Sequence, residues 1–270
     1  MYKLYKTGKE FFDENIDLIR NDPLGTMFFE GNANSIEKCN EENYAARVEV
    51  DGDVLIAIRA HGYPFVVYGS EKCTSELAQI VVKNKLQFNK VIGYHGVCNK
   101  FLTEYEQIVG GTHRINLSMD IMYCDKVAPC DTSAVEQATA KDGEEIAQLI
   151  VEFLSEAMCE KSTWGEKIQR ILQEIRYFAL IRADGKIVSI ARVYECGNGL
   201  CRVSDVYTKP SYRNKGYARK LVTYLTEQIV ASGDMACLHV DQHNPVSNHL
   251  YQTIGYKYGE SRYEFIYERI

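Results

Sequence analysis

The sequence predicts a mixed α/β (α+β) protein in which a central sheet is flanked by helices. Short strand-like segments alternate with amphipathic helical segments along the whole chain, an order typical of these fold classes. Turn dipeptides such as Asp51-Gly52 and Asp184-Gly185 join consecutive strands, so the sheet is expected to be mostly antiparallel. The element order of the first half recurs in the second, which predicts two tandem copies of one fold.

The first predicted domain covers residues 1–130. Its helical segments show apolar residues at spacings of three and four, and its strands are short and rich in apolar residues. The predicted helices are 9–20, 76–85 and 99–109, and the predicted strands are 44–50, 54–60, 63–68, 90–94 and 112–123.

The second predicted domain covers residues 131–270 and follows the short polar segment 128–133. Asp142 and Glu145 have the spacing of a capping box at the start of its first helix. Gly233 is placed to end a later helix that begins at about Gly216. The predicted helices are 146–158, 168–175, 216–230 and 245–253, and the predicted strands are 178–182, 186–194, 200–208, 237–241 and 256–267.

The composition is that of an ordinary globular protein. The 270 residues are 46% hydrophobic and 25% charged, with a formal net charge of -6. This acidic balance argues against a nucleic-acid binder, which needs a basic face to replace phosphate counterions. It is compatible with a cationic substrate such as an amine. No apolar run approaches the ~20 residues of a membrane span.

Cysteine spacing and the N-terminus bear on the cellular compartment. The nine cysteines are scattered and form no C-x-x-C pair, so we interpret them as reduced thiols rather than a zinc site or a disulfide frame. The first residues carry lysine and glutamate where a signal peptide needs an apolar run. The sequence therefore predicts a cytoplasmic protein without a metal site, a membrane segment or a nucleic-acid partner.

The segment 206–218 has the pattern of an anion-binding site. A strand ends, a polar loop follows, and a helix begins at about Gly216. The first N–H groups of a helix have no internal partner, and the helix dipole places partial positive charge there. Gly216 permits close approach of a ligand, and Arg213 and Lys215 add positive charge. These features predict a cradle for a pyrophosphate.

Two motifs carry a family resemblance. Arg213-x-x-Gly216-x-Ala218, between a strand and an amphipathic helix, resembles the CoA-binding signature of the GNAT acetyltransferase superfamily. The downstream run 244–256, with Asn244, Leu250-Tyr251 and Gly255-Tyr256, resembles the closing motif of that family. The resemblance covers roughly residues 133–270. The corresponding loop of the first half, 69–74, lacks the pattern, so we expect a degenerate GNAT-like copy that does not bind CoA.

The resemblance implies an N-acyltransferase that uses acetyl-CoA as cosubstrate and a small-molecule or peptide primary amine as acceptor, without a metal. It also implies that strands 200–208 and 237–241 splay apart, leaving backbone amides free for pantetheine. The implied cofactor-binding residues are Val206, Tyr207, Arg213, Asn214, Lys215, Gly216, Tyr217, Ala218 and Asn244. Asn244 has an alternative role as a plain helix N-cap before Pro245.

Three residues are candidates for proton transfer. Tyr251 matches the family position whose phenol protonates the departing thiolate, and its alternative is a packing role in the core. His239 and Asp205 are candidate general bases, and each has a structural or solvent-facing alternative. A water relay would remove the need for a base. The segment 158–163 with Trp164 either borders the acceptor pocket or plugs the space between two helices.

A second class of function remains open at this stage. A non-catalytic acyl-CoA-binding regulatory module would keep the cradle and lose turnover. A nucleotide-binding protein is disfavoured, because the chain contains neither a G-x-x-x-x-G-K-[ST] run nor a G-x-G-x-x-G turn. The predicted assembly is a monomer or a homodimer, with the N-terminal copy closing the acceptor side.

Overall fold

One continuous twelve-stranded sheet runs through both halves of the computed structural model, which describes residues 1–158 and 163–269. Elements of the first half are, in order, β1 (Tyr2–Leu4), α1 (Gly8–Asn21), α2 (Phe29–Asn34), β2 (Tyr44–Val50), β3 (Asp53–Arg59), β4 (Phe65–Gly69), α3 (Thr74–Lys83), β5 (Lys90–Gly93), α4 (His95–Val109) and β6 (Thr112–Cys124).

The second half repeats the alternation of helices and strands. Its elements are β7 (Glu136–Gln137), α5 (Gly143–Met158), α6 (Trp164–Glu174), β8 (Phe178–Ala183), β9 (Lys186–Gly197), β10 (Leu200–Thr208), α7 (Tyr217–Ala231), β11 (Met235–Asp241), α8 (Pro245–Ile254) and β12 (Lys257–Glu268). The hairpin between β8 and β9 turns at Asp184 and Gly185, with φ angles of 51° and 74°. Both angles are positive, as the predicted type I′ turn requires.

Most of the predicted elements are confirmed, and two details differ. The capping box is formed by Thr139 and Asp142 around a 3-10 turn, whereas Glu145 accepts a hydrogen bond from the N–H of Ile187. The box assigned to Asp142 and Glu145 is therefore wrong, because the helix is preceded by this extra turn. The C-terminal segment forms one long strand, β12, with bulges at Gly259 and near Phe265.

The last strand of each half lies between strands of the other half. The sheet order is β1-β2-β3-β4-β5-β12-β6-β11-β10-β9-β8-β7. Accordingly β12 pairs with β5 of the first half, and β6 pairs with β11 of the second. Only the β4–β5 and β10–β11 pairs are parallel, which confirms a mixed, mostly antiparallel sheet. The boundary between residues 130 and 131 stays a prediction, since the strands on its two sides interleave.

Helices cover both faces of the second half of the sheet. Side chains of β11 alternate, so Leu238 and Val240 pack with Tyr251 in the core under α7 and α8. Tyr207 belongs to a separate core under α5 and α6. None of the described helices is both long enough and apolar enough to cross a lipid bilayer.

Candidate active site

A gap opens in the sheet between β10 and β11. The two strands pair only from Leu200 to Arg202, opposite Met235 to Cys237, although both continue well beyond those residues. Asp205 has a φ of 52°, and the pairing of β10 with β9 shifts register between Ser204 and Tyr207. This bulge bends β10 away from β11. The predicted divergence is therefore present, and it leaves the backbone of β10 that faces the gap without a strand partner.

The start of α7 lies just after this gap. The first helical hydrogen bond runs from the N–H of Lys220 to the carbonyl of Gly216. Within the described part of the chain, the N–H groups of residues 214–219 have no hydrogen-bond acceptor. Asn214 and Gly216 have φ angles of 62° and 78°, which turn the loop sharply into the helix. A Cβ at Gly216 would meet open space, so a ligand can approach this backbone.

The two predicted basic residues of the loop have different surroundings. Arg213 donates from Nη2 to Glu156 Oε2 at 2.7 Å and from Nε to the Thr208 carbonyl at 3.0 Å. Its side chain thus ties the loop to α5 and to the end of β10. Lys215 is exposed, with Nζ 4.9 Å from the centre of the Tyr212 ring. Lys215 is therefore the more available of the two cations for an anion at α7.

The other residues predicted to contact the cofactor line the gap or the start of α7. Val206 and Tyr217 are partly buried against the core under α7. The Tyr207 side chain is buried on the opposite face, where its hydroxyl donates to Glu152 at 3.2 Å. Burial raises the pKa of Tyr207 to about 12. These side chains support the strand and leave only its backbone for a ligand, while Ala218 adds no bulk in the first turn of α7.

Tyr251 lies on the α7 side of the gap. Its side chain is 8% exposed, and its ring centre is 6.1 Å from that of Tyr256. Burial raises the pKa of Tyr251 to about 12. None of the described residues forms a hydrogen bond with its hydroxyl, whereas the Tyr256 hydroxyl pairs with Thr226 Oγ1 at 2.7 Å. Tyr251 thus holds a proton at neutral pH that is not committed to another protein group.

His239 lies on the opposite face of the sheet from Tyr251, because side chains alternate along β11. Its Nε2 is 3.1 Å from Met27 Sδ, and its ring centre is 5.5 Å from that of Phe28. Burial, and then the nearby Arg202 and Arg262, hold the pKa of His239 well below its usual range. The imidazole is therefore neutral at neutral pH, and its lowered pKa makes it a weak base. Met27 and Phe28 of the first half of the chain pack against it.

Asp205 is held in an ion pair. Its Oδ2 lies 2.5 Å from Arg192 Nε, and Arg192 also contacts Glu174. Both Asp205 and Arg192 have little exposed side-chain surface. The Asp205 carboxylate is already committed to the Arg192 guanidinium, so this contact favours the structural alternative for Asp205.

A cleft of about 250 Å³ opens on the His239 face, between α5, α6 and strands β9 and β10. It is lined by Ile150, Leu154, Lys167, Arg170, Ile171, Phe178, Arg192, Tyr194 and Asp205. Of these, only Asp205 is predicted from the sequence. Arg192 and Tyr194 lack a sequence signal, because a single arginine or tyrosine within a strand matches no motif.

Asn244 and Trp164 are two further predicted positions with plain surroundings. Asn244 is the N-cap of α8, and its side chain accepts from the N–H of Ser247 at 3.1 Å. Trp164 begins α6 and is 46% exposed, so its interpretation as a plug between helices is wrong. Residues 159–162 of the same predicted segment lie outside the described residues.

Comparison with known families agrees with this geometry. Residues 145–256 match the family described as Acetyltransferase (GNAT) family, and this range contains the α7 loop, the gap and Tyr251. Residues 145–256 of the second half therefore form a GNAT domain. No protein of curated function matches the chain in sequence.

Solved structures of GNAT proteins resemble the whole chain. A GCN5-related N-acetyltransferase from Sphaerobacter thermophilus has a TM-score of 0.62 at 17% identity, over 99% of this chain and 95% of that one. A GNAT-family acetyltransferase from Colwellia psychrerythraea has a TM-score of 0.61 at 12% identity, over 100% of both chains. A tandem GNAT protein from the clavulanic acid biosynthesis pathway has a TM-score of 0.58 at 10% identity, over 100% of this chain and 98% of that one. At these identities the likeness concerns the fold, which extends through both halves.

The first half lacks the features that surround the gap of the GNAT domain. A Cβ at Gly93 of β5 would lie 2.5 Å from the carbonyl oxygen of Val67 in β4, so those two strands stay in close contact. The Glu71 carboxylate lies against Gly96 in the first turn of α4, where a Cβ would be 2.0 Å from it. Glu71 belongs to the segment 69–74, which leads into α3 and corresponds to the α7 loop, and an acid there opposes the binding of an anion. The absence of CoA binding in this half stays a prediction.

No group of three or more histidine, cysteine or carboxylate side chains suited to a metal ion occurs in the described ranges 1–158 and 163–269. All the cysteines of those ranges are unpaired.

Proposed function

We propose that this protein is an N-acetyltransferase that moves an acetyl group from acetyl-CoA to a primary amine. One observation carries the proposal: the gap between β10 and β11 leads directly to a helix start whose N–H groups lack acceptors. A single ligand with a diphosphate and a long thioester arm fits both features at once.

The α7 loop has the properties that a diphosphate requires. The N–H groups of residues 214–219 supply hydrogen-bond donors, the helix dipole adds partial positive charge, and Lys215 adds a full charge. Arg213 fixes the loop through Thr208 and Glu156. We infer that the backbone of Val206 and Tyr207 binds the arm and polarises the thioester carbonyl.

The candidate proton-transfer groups lie on the two sides of the gap. Acetyl-CoA supplies the acyl group as a thioester. The amine nitrogen bonds to the carbonyl carbon, and the carbon–sulfur bond breaks. Tyr251 is protonated at neutral pH and donates its proton to the leaving thiolate. The proton lost by the amine passes to water or to the neutral imidazole of His239, which is a weak base because burial lowers its pKa.

We propose that the acceptor binds in the cleft between α5, α6, β9 and β10, on the His239 side of the sheet. We propose that this acceptor is a small-molecule or peptide amine. We propose further that the protein is a cytoplasmic monomer or homodimer whose two domains meet near residue 130. The unpaired cysteines of the described residues support a reducing compartment.

A screen of amines with acetyl-CoA, with free thiol as the readout, tests the proposed reaction. We expect at least one class of primary amine to release thiol at a rate that depends on amine concentration. Binding of acetyl-CoA without thiol release from any amine would instead indicate a non-catalytic acyl-CoA-binding module.

A further inference from the structure

Arg202 is a partly buried cation with no acidic partner among the described residues. It lies on β10 at the last residue paired with β11, which places it at the apex of the gap. Its Nε is shielded from solvent and has no hydrogen-bond acceptor. Among the described residues, no carboxylate lies within salt-bridge distance of its guanidinium. Nearby Arg192, in contrast, is held by both Asp205 and Glu174.

Aromatic rings connect Arg202 to the cleft. Its Cζ lies 5.0 Å from the centre of the Tyr194 ring and 5.8 Å from that of Phe28. Tyr194 also lines the cleft and carries Arg192 Cζ at 3.8 Å from its ring centre. Ring faces stabilise a guanidinium, but they leave its charge in place.

The charges of this group do not cancel. Arg170 and Arg192 share Glu174, and Arg192 also contacts Asp205, so two cations are matched by two carboxylates. Adding Arg202 gives three guanidinium groups against two carboxylates, which leaves one positive charge. His239, on the neighbouring strand, is neutral and adds no negative charge. A partly buried, uncompensated charge is unfavourable, and an anionic ligand would offset that cost.

We propose that the acceptor amine carries a carboxylate that binds Arg202 at the apex of the gap, as in an amino acid or the C-terminus of a short peptide. The planar guanidinium matches a carboxylate through two parallel hydrogen bonds. Such a contact directs the amine of a small acceptor toward the open part of the gap. The proposal deepens the proposed acetyl transfer, because it names the acceptor class of the same site.

Matched acids and amides test the proposal. Amino acids and short peptides, each as free acid and as C-terminal amide, are assayed with acetyl-CoA in wild type, Arg202→Gln and Arg202→Lys. Arg20→Gln is the control, since Arg20 is an exposed arginine of the first half. We expect wild type to favour the acids by about tenfold or more in kcat/KM. Free amino acids and peptides compared with each other show which source of carboxylate is used.

The variants separate recognition from folding and from turnover. Arg202→Gln should remove the preference through KM for the acceptor, with KM for acetyl-CoA unchanged, and Arg202→Lys should be intermediate. Equal use of acids and amides by wild type, or a retained preference in Arg202→Gln, overturns the proposal. If no amine is acetylated, the thermal midpoint measured with each acid and amide decides. If the acids alone raise the thermal midpoint of wild type and this effect is lost in Arg202→Gln, the Arg202 site is supported while the proposed transfer fails. If the acids do not raise the thermal midpoint, the Arg202 site is refuted.

Discussion

At the residue scale, Tyr251 and Tyr256 form a natural comparison. Both are buried tyrosines of the same core, but within the described part of the chain only the Tyr256 hydroxyl has a hydrogen-bond partner. We expect Tyr251→Phe to lower kcat by about 100-fold, because a general acid is lost, with little change in stability. Tyr256→Phe should cost about 1 kcal/mol of stability and leave kcat near wild type. Steady-state rates and urea unfolding check both, and equal rates for Tyr251→Phe and wild type would exclude the acid role.

The burial of His239 predicts how the stability of the fold changes at low pH. Its pKa is lower in the folded protein than the ordinary 6.5, so the unfolded chain binds more protons in that window. Protonation of His239 on unfolding therefore lowers the free energy of unfolding as the pH falls below about 6.5, by up to about 1.4 kcal/mol per pH unit. We expect His239→Gln to flatten this loss in denaturant titrations at successive pH values. Exposed His243 is the control, and a slope unchanged by His239→Gln would contradict the assigned surroundings.

Sequence reasoning at this scale identified the loop better than the cleft. The α7 loop was predictable because its donors belong to the backbone and follow from a strand, a glycine and a helix start. The sequence does not predict that Asp205 pairs with Arg192 or that Arg202 stays unpaired among the described residues, since both depend on which strands become neighbours.

At the element scale, the positive φ of Gly216 sets the direction of the free N–H groups. Alanine there adds no steric contact but strains the backbone by about 1 kcal/mol, and relief of that strain rotates the amides. We expect Gly216→Ala to weaken acetyl-CoA binding about tenfold or more. Gly185→Ala is the matched control, because its φ is 74° and its Cβ also meets open space. Calorimetric titration of both variants checks this, and equal affinities would show that the amides do not hold the ligand.

Local patterns in the sequence predict the bounds of the longer elements, but they do not predict the very short elements. The hairpin at Asp184-Gly185 and the strand Leu200–Thr208 occur where alternation and turn residues predict them. β1, β7 and α2 were not predicted, since two to six residues carry too little periodicity. The bulge at Asp205 has no glycine to indicate it.

At the scale of the whole molecule, the exchange of β6 and β12 couples the halves. Isolated residues 1–130 would lose both neighbours of β6, and isolated 131–270 would lose the strand between β11 and β12. We expect the full chain to unfold in one cooperative calorimetric transition and the separate fragments to lack stable structure. Two transitions, or a folded 131–270 fragment, would contradict this coupling. The exchange was not predictable from the sequence, because tandem similarity indicates two folds without indicating which strands pair.

We propose that the amides at the start of α7 hold the diphosphate of coenzyme A. Calorimetric titration of the full chain with acetyl-CoA and with acetyl-pantetheine, which keeps the thioester arm without the diphosphate, tests it most directly. We predict one acetyl-CoA site per chain and much weaker binding of acetyl-pantetheine. Absence of acetyl-CoA binding, or equal affinity for the two compounds, would contradict the account.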